Sequence, residues 1–322
     1  MIYQHLNIII YWLFTITSVA KGIFIMNKIR IITDSASDFI DKAHGLRQGD
    51  IFLPLTINFD DKEYRDGVDI GHKDFYEMLI EVDVLPKTSQ VPPAVFEDAM
   101  KEITDEGDTA IVITVAKELS GTYQSAVIAA SEFDSDKVFI IDSGSASIGE
   151  LALIHYAQAL IDKFHSGEYN DDINAASKAI VSELENAKRR LCVVALLDTL
   201  EYLKKGGRIS AAAAFAGGLL NIKPVIDLKD GVIHVLGKAR GSKQGNNMLI
   251  QEINKFGGID YSLPLLAGYT GLSDKLAEKY VDDSSALWEG HIERPLPVTI
   301  GGTIGTHVGP GAVAAAFFSP AD

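Results

Sequence analysis

The chain has 322 residues, 47% hydrophobic and 23% charged, enough for two domains of ordinary size and typical of a soluble globular protein rather than a disordered one. Its 44 acidic and 29 basic side chains leave a formal charge of -15, a field that repels phosphate backbones and argues against nucleic acid as a partner. The single cysteine, Cys192, excludes a disulfide framework and a cysteine-based zinc site, and the eight histidines form no HExxH motif, so neither metal nor cofactor is expected.

In chain order, residues 1–25 come first and are set apart from the fold. Their apolar run from Ile8 to Ala20 is shorter than the roughly 17 to 25 residues of a spanning helix. Three readings stand for this extension: a misassigned start before Met26, a signal segment, or an anchor. From Met26 onward, apolar runs alternate with helical patterns. Strands are expected at 28–33, 51–59, 109–115 and 137–142, and helices at 72–82, 93–107, 121–133 and 147–167. Strand followed by helix, repeated, predicts a Rossmann-like α/β domain with a parallel sheet over 26–168, and no membrane insertion is expected for 26–322. The polar turn "SGEYNDD" (166–172) marks the junction to a mixed α/β domain over 169–322. There a helix precedes the strand "LCVVALL" (191–197), and Asp230-Gly231 joins two further strands in a type I′ hairpin. "LPLLAGY" (263–269) is another strand, and "GAVAAAF" (311–317) is expected to open an alanine-rich helix.

In an open parallel sheet, ligands bind beyond the carboxyl ends of the strands. Three polar clusters fall there: "TDSASD" (33–38), "KELSGTYQS" (117–125) and "DSGSAS" (142–147), each leading into helix N–H groups that lack partners. Each also has a plainer reading as a helix N-cap, but three on one edge weaken it. "LPKTSQVPP" (85–93) adds Thr88 and Ser89 in an extended stretch ended by prolines, where Ser89 or Gln90 could again cap the next helix. Two glycines precede Arg208 and place it on a turn; Ser210 then caps a helix whose small residues, 211–218, suit close helix packing or a slender apolar ligand. Arg240 follows the hairpin. His307 lies in the glycine-rich stretch "IGGTIGTHVGPG" (300–311), expected to be an accessible loop.

"TDSASD", "KTSQ", "LSGTYQSA", "IDSGSAS", "LEYLKKGGRIS", "IKPVI", "KARGSK" and "GTHVGPGA", in this order, resemble the DegV family of bacterial fatty-acid-binding proteins over 26–317. "KTSQVPP" departs from the pattern by carrying a valine where a proline is common. The resemblance implies two domains with a long-chain fatty acid between them. It further implies that Thr88, Ser89, Ser120 and Gly121 bind the carboxyl group, and that Arg208, Arg240 and His307 lie near the carboxyl or at a kinase-docking surface. Such a carrier is a cosubstrate of a separate fatty acid kinase, which uses ATP to form an acyl phosphate. No catalytic residue is then expected in this chain. The absence of a GxxxxGK[ST] motif agrees with a nucleotide held by the partner. ATP-dependent acyl activation implies a cytoplasmic location.

Two alternatives compete. One is a stand-alone acyl or phosphate hydrolase with Ser120 as nucleophile, assisted by His307 and an aspartate such as Asp34. The Ser120 turn lacks the GxSxG elbow that such hydrolases use. The other is a lipid sensor.

Overall fold

The computed structural model describes residues 28–39, 45–167, 172–209 and 222–321. The N-terminal extension, Ser210 and the small-residue run 211–218 therefore lie outside the described residues.

The first half builds a four-stranded parallel sheet. Its strands β1 (Ile29–Asp34), β2 (Ile51–Leu53), β6 (Thr109–Thr114) and β7 (Val138–Asp142) are ordered β2-β1-β6-β7. Every residue of β1 and β6 is buried, as expected for apolar runs covered on both faces. The predicted strand over 51–59 is in fact two. Pro54 cannot donate to a ladder, and after it β3 (Thr56–Phe59) leaves for an antiparallel sheet ordered β4-β3-β5, with β4 (Lys62–Arg65) and β5 (Lys87–Ser89). Helix α1 (His72–Leu79) backs that small sheet. Helix α2 (Pro93–Asp105) starts on the prolines as expected and buries Phe96, Ala99, Met100 and Ile103, the i, i+3, i+4, i+7 stripe of an amphipathic helix. Helix α3 (Thr122–Ala130) follows β6, and α4 (Ile148–His165) follows β7.

The second half, after α5 (Ile173–Ala187), forms a six-stranded mixed sheet ordered β10-β9-β8-β13-β11-β12. Its strands are β8 (Leu191–Leu196), β9 (Ile222–Lys229), β10 (Val232–Arg240), β11 (Leu266–Tyr269), β12 (Pro297–Thr299) and β13 (Val313–Phe318). Helix α6 (Glu201–Lys205) follows β8; α7 (Gly241–Lys255), α8 (Lys275–Asp283) and α9 (Ser285–Trp288) pack around the sheet; α10 (Gly302–Val308) precedes β13. The β9–β10 turn is the predicted type I′, with φ of 51° at Asp230 and 76° at Gly231. The predicted C-terminal helix is instead β13, wholly buried in the middle of the sheet. Alanine favours helices on its own, but here small side chains let the strand sit between β8 and β11 with a helix packed on it, and packing overrides propensity.

Helix α4 joins the halves. Twelve of its eighteen residues are buried, too many for a one-faced helix, because it lies against β8, β11 and β13 as well as the end of β1. One contiguous core accordingly runs from Ile31 and Ile113 through Ile148 to Val193, Leu228 and Ala314. The opposite face of β8, with Val194 and Leu196, packs into a second core under α7 and α8, which is the period-2 alternation of a strand.

Candidate ligand-binding site

Between the parallel sheet and the six-stranded sheet lies a cavity of about 390 Å³. Its wall is mainly apolar. Leu55, Val115 and Ile148 come from the first half; Val193, Ala195 and Leu197 from β8 and its end; Ile226, Leu228 and Ile233 from the hairpin; Ile304, Val308 and Ala314 from α10 and β13.

The polar side chains on this wall form a ring of contacts. Thr88 in β5 is paired opposite Ile57, and its Oγ1 lies 2.9 Å from Nε2 of His307 at the end of α10. Arg208, whose charge acts on His307, donates through Nε to the Leu119 carbonyl at 3.2 Å and through Nη1 to that of Gly206. Ser120 follows Leu119; its Oγ lies 2.9 Å from Thr122 Oγ1 and accepts from the Thr122 N–H at 3.2 Å, opening α3. Gly121 closes the ring on Gln90, two residues beyond Thr88. A Cβ on Gly121 would stand 1.9 Å from Gln90 Oε1, so a larger residue there requires the Gln90 side chain to move aside. Gly121→Ala should therefore displace the Gln90 amide and break its bond to Ser125 Oγ, lowering stability by about 1 kcal/mol, as urea denaturation would measure.

Burial, reinforced by the Arg208 charge, lowers the pKa of His307 to about 4, so its imidazole is neutral at pH 7. A neutral imidazole has a single N–H. Carried on Nε2, that hydrogen is donated to Thr88 Oγ1 and leaves the threonine hydroxyl hydrogen free for a ligand oxygen. Nδ1 then faces Gly206, where an added Cβ would come within 2.4 Å, and makes no hydrogen bond.

Thr88, Ser89, Ser120, Gly121, Arg208 and His307 thus border one cavity, whereas Arg240 is exposed at the end of β10 and does not line it. Ser89 Oγ accepts from Asn58 Nδ2 at 3.3 Å, on the face of β5 opposite Thr88. His307 is not on an accessible loop, because the glycines of its segment build α10, which packs closely on Ile57, Phe75 and Tyr76. Neither Ser89 nor Gln90 caps α2. Pro92 is its N-cap residue, without a side-chain bond, and Gln90 Nε2 instead donates to Ser125 Oγ at 2.8 Å. The "TDSASD" cluster faces inward: Asp34 accepts from the N–H groups of Ala36 and Val115, tying β1 to the end of β6. His307 meets Thr88 rather than Ser120, and both Asp34 oxygens are taken by backbone, so the hydrogen bonds do not assemble a Ser120-His307-Asp34 relay. Sequence reasoning missed Asp66, which holds α10; an Asp-Gly pair in a loop carries no signal beyond a turn.

Together, fold and site define a mixed α/β protein whose parallel and six-stranded sheets enclose an apolar cavity with a polar ring at its wall. The chain belongs to the DegV family, whose profile, described as that of an uncharacterised protein family, matches residues 28–320. It is 34% identical over 298 residues to a DegV domain-containing protein of Caldanaerobacter subterraneus, covering 91% of this chain and 99% of that one. Among solved structures, a fatty-acid-binding DegV family protein of Thermus thermophilus superimposes with a TM-score of 0.77 at 31% identity, over 91% of this chain and 100% of that one. DegV of Bacillus subtilis, a fatty acid binding protein, matches with a TM-score of 0.72 at 27% identity, over 91% and 100% of the two chains. Among the described residues, no helix is long and apolar enough to cross a membrane, and no group of three His, Cys, Asp or Glu side chains is arranged to hold a metal ion.

Proposed function

We propose that this protein binds one long-chain fatty acid, its alkyl chain in the cavity and its carboxyl group at the polar ring, and presents that carboxyl to a separate ATP-dependent fatty acid kinase. The observation that carries the reading is the ring of Thr88, His307, Arg208, Ser120 and Gly121 on the wall of an otherwise apolar cavity. Fatty acid binding by the relatives from Thermus thermophilus and Bacillus subtilis supports it.

The chemistry divides between tail and head. Burying about sixteen carbons at ~0.8 kcal/mol per methylene gives on the order of 12 kcal/mol before ordering costs, so the tail dominates affinity. A carboxylate removed from water needs donors. Thr88 and Ser120 supply hydroxyl hydrogens, the first turn of α3 supplies N–H groups, and Arg208 supplies positive charge against an overall acidic chain. Acyl phosphate formation takes place when a carboxylate oxygen attacks the γ-phosphate of ATP and ADP leaves. The reactive oxygen belongs to the ligand, which makes this chain a cosubstrate working in the cytoplasm. Exposed Arg240 is suited to docking the kinase.

Ser120→Ala should weaken fatty acid binding about tenfold, whereas Arg240→Ala should bind as the wild type does yet be phosphorylated more slowly by the kinase. Fluorescent fatty acid displacement and ³²P transfer from ATP measure the two effects. Tight binding by Ser120→Ala together with full kinase turnover on Arg240→Ala would defeat both assignments.

A further inference from the structure

We propose that Asp66 and Asp38 are positioning residues of the head-group site, holding α10 in place so that His307 meets Thr88. This deepens the fatty acid reading and rests on it for its ligand.

His307 reaches Thr88 only because α10 crosses from the second half of the chain to the first. What fixes α10 is its N-terminal backbone. Asp66, just after β4 and 2% exposed, accepts from the Gly302 N–H at 3.1 Å through Oδ1 and from the Thr303 N–H at 2.9 Å through Oδ2. Asp38, after β1 and fully buried, accepts from the Gly301 N–H at 2.7 Å and from the Ser147 hydroxyl at 2.6 Å. Two aspartate side chains therefore take three successive N–H groups that an isolated helix leaves unpaired. Ser35 adds a 3.2 Å contact to Thr303 Oγ1 while accepting from the Leu55 N–H. His72 and Tyr76 both reach the Ile300 carbonyl at 3.1 Å.

This mooring is directional. Asp66 receives parallel N–H groups on separate oxygens, so it fixes the rotation of α10 about its axis as well as its position. His307 lies five residues beyond Gly302, on a helix that fills no more than two turns. A tilt at the start of so short a rod moves the imbalance straight to its end, separating Nε2 from Thr88 and admitting water to a ring whose imidazole is neutral because it is buried beside Arg208. Asp38 extends the control to Ser147, a cavity-wall residue at the unusual φ of 56° for a non-glycine.

The test compares Asp66→Asn, which keeps shape but retains an acceptor for only one N–H, with wild type on two probes, palmitate and methyl palmitate. A His307 displaced from Thr88 should cost about tenfold in palmitate affinity and leave methyl palmitate within about twofold, because the ester has no carboxylate to satisfy. In the ligand-free protein, ¹⁵N NMR of the His307 ring should show titration moving up from about 4 toward the ordinary 6.5. Unchanged palmitate affinity, an equal loss for both probes, or an unmoved His307 titration would each overturn the proposal. Should Asp66→Asn fail to fold, Asp38→Asn carries the same expectations. If wild type binds neither probe, the fatty acid reading fails, and the His307 titration alone then decides for or against the positioning role.

Discussion

Ala195→Phe is expected to fold and to lose its fatty acid. Ala195 sits in β8 between Ile226 of β9 and Ala314 of β13, and all three line the cavity. A phenyl ring there takes the place of about four methylenes of ligand, and at ~0.8 kcal/mol each the loss is about 3 kcal/mol, or roughly a hundredfold in affinity. The ring fills space rather than forcing the core apart, so the melting temperature should stay within a few degrees of the ligand-free wild type. Calorimetric titration with palmitate and differential scanning calorimetry measure both quantities. Palmitate binding at wild-type affinity by a folded Ala195→Phe would place the tail elsewhere.

The second large effect is acid lability traced to His307. Its folded pKa of about 4 lies below the ordinary 6.5, so the unfolded chain binds the proton first as pH falls. The stabilisation is complete above 6.5 and is lost progressively as pH falls toward 4, by up to about 3 kcal/mol. Asp34 and Asp38 act in the opposite sense. Burial pushes both up to about 7 from an ordinary 3.8, against the donors that pull them back, so their contribution favours the folded state at low pH and fades as pH rises through 7. The wild-type profile mixes the two trends, and the His307→Gln variant separates them. As pH is lowered from 7 to 4, urea denaturation should show the stability of wild type falling relative to that of His307→Gln, with the Asp34 and Asp38 contributions common to both. Parallel profiles would mean that His307 titrates normally.

The parallel sheet was legible because β1 and β6 are short, largely apolar runs rich in β-branched residues and bounded by turns, and the β9–β10 hairpin because Asp-Gly suits two successive positive φ angles. Thr88, Ser120, Gly121, Arg208 and His307 were legible through the ordered family motifs, not through any one of them. What stayed hidden depends on contacts between residues distant in sequence. The run Val313–Phe318 reads as helix until β8 and β11 flank it. His307 reads as a loop residue until Asp66, 236 positions before Gly302, supplies the acceptor for that N–H at the start of α10. Local propensity cannot encode such a partner, and the one-residue signals at Asp38 and Asp66 are those of any turn.

The occupant of the cavity is identified by denaturing the purified protein, extracting it with organic solvent and analysing the extract by mass spectrometry. One long-chain fatty acid per chain is the predicted result. Recovery of no fatty acid, together with failure of the protein to bind added palmitate or oleate, would contradict it.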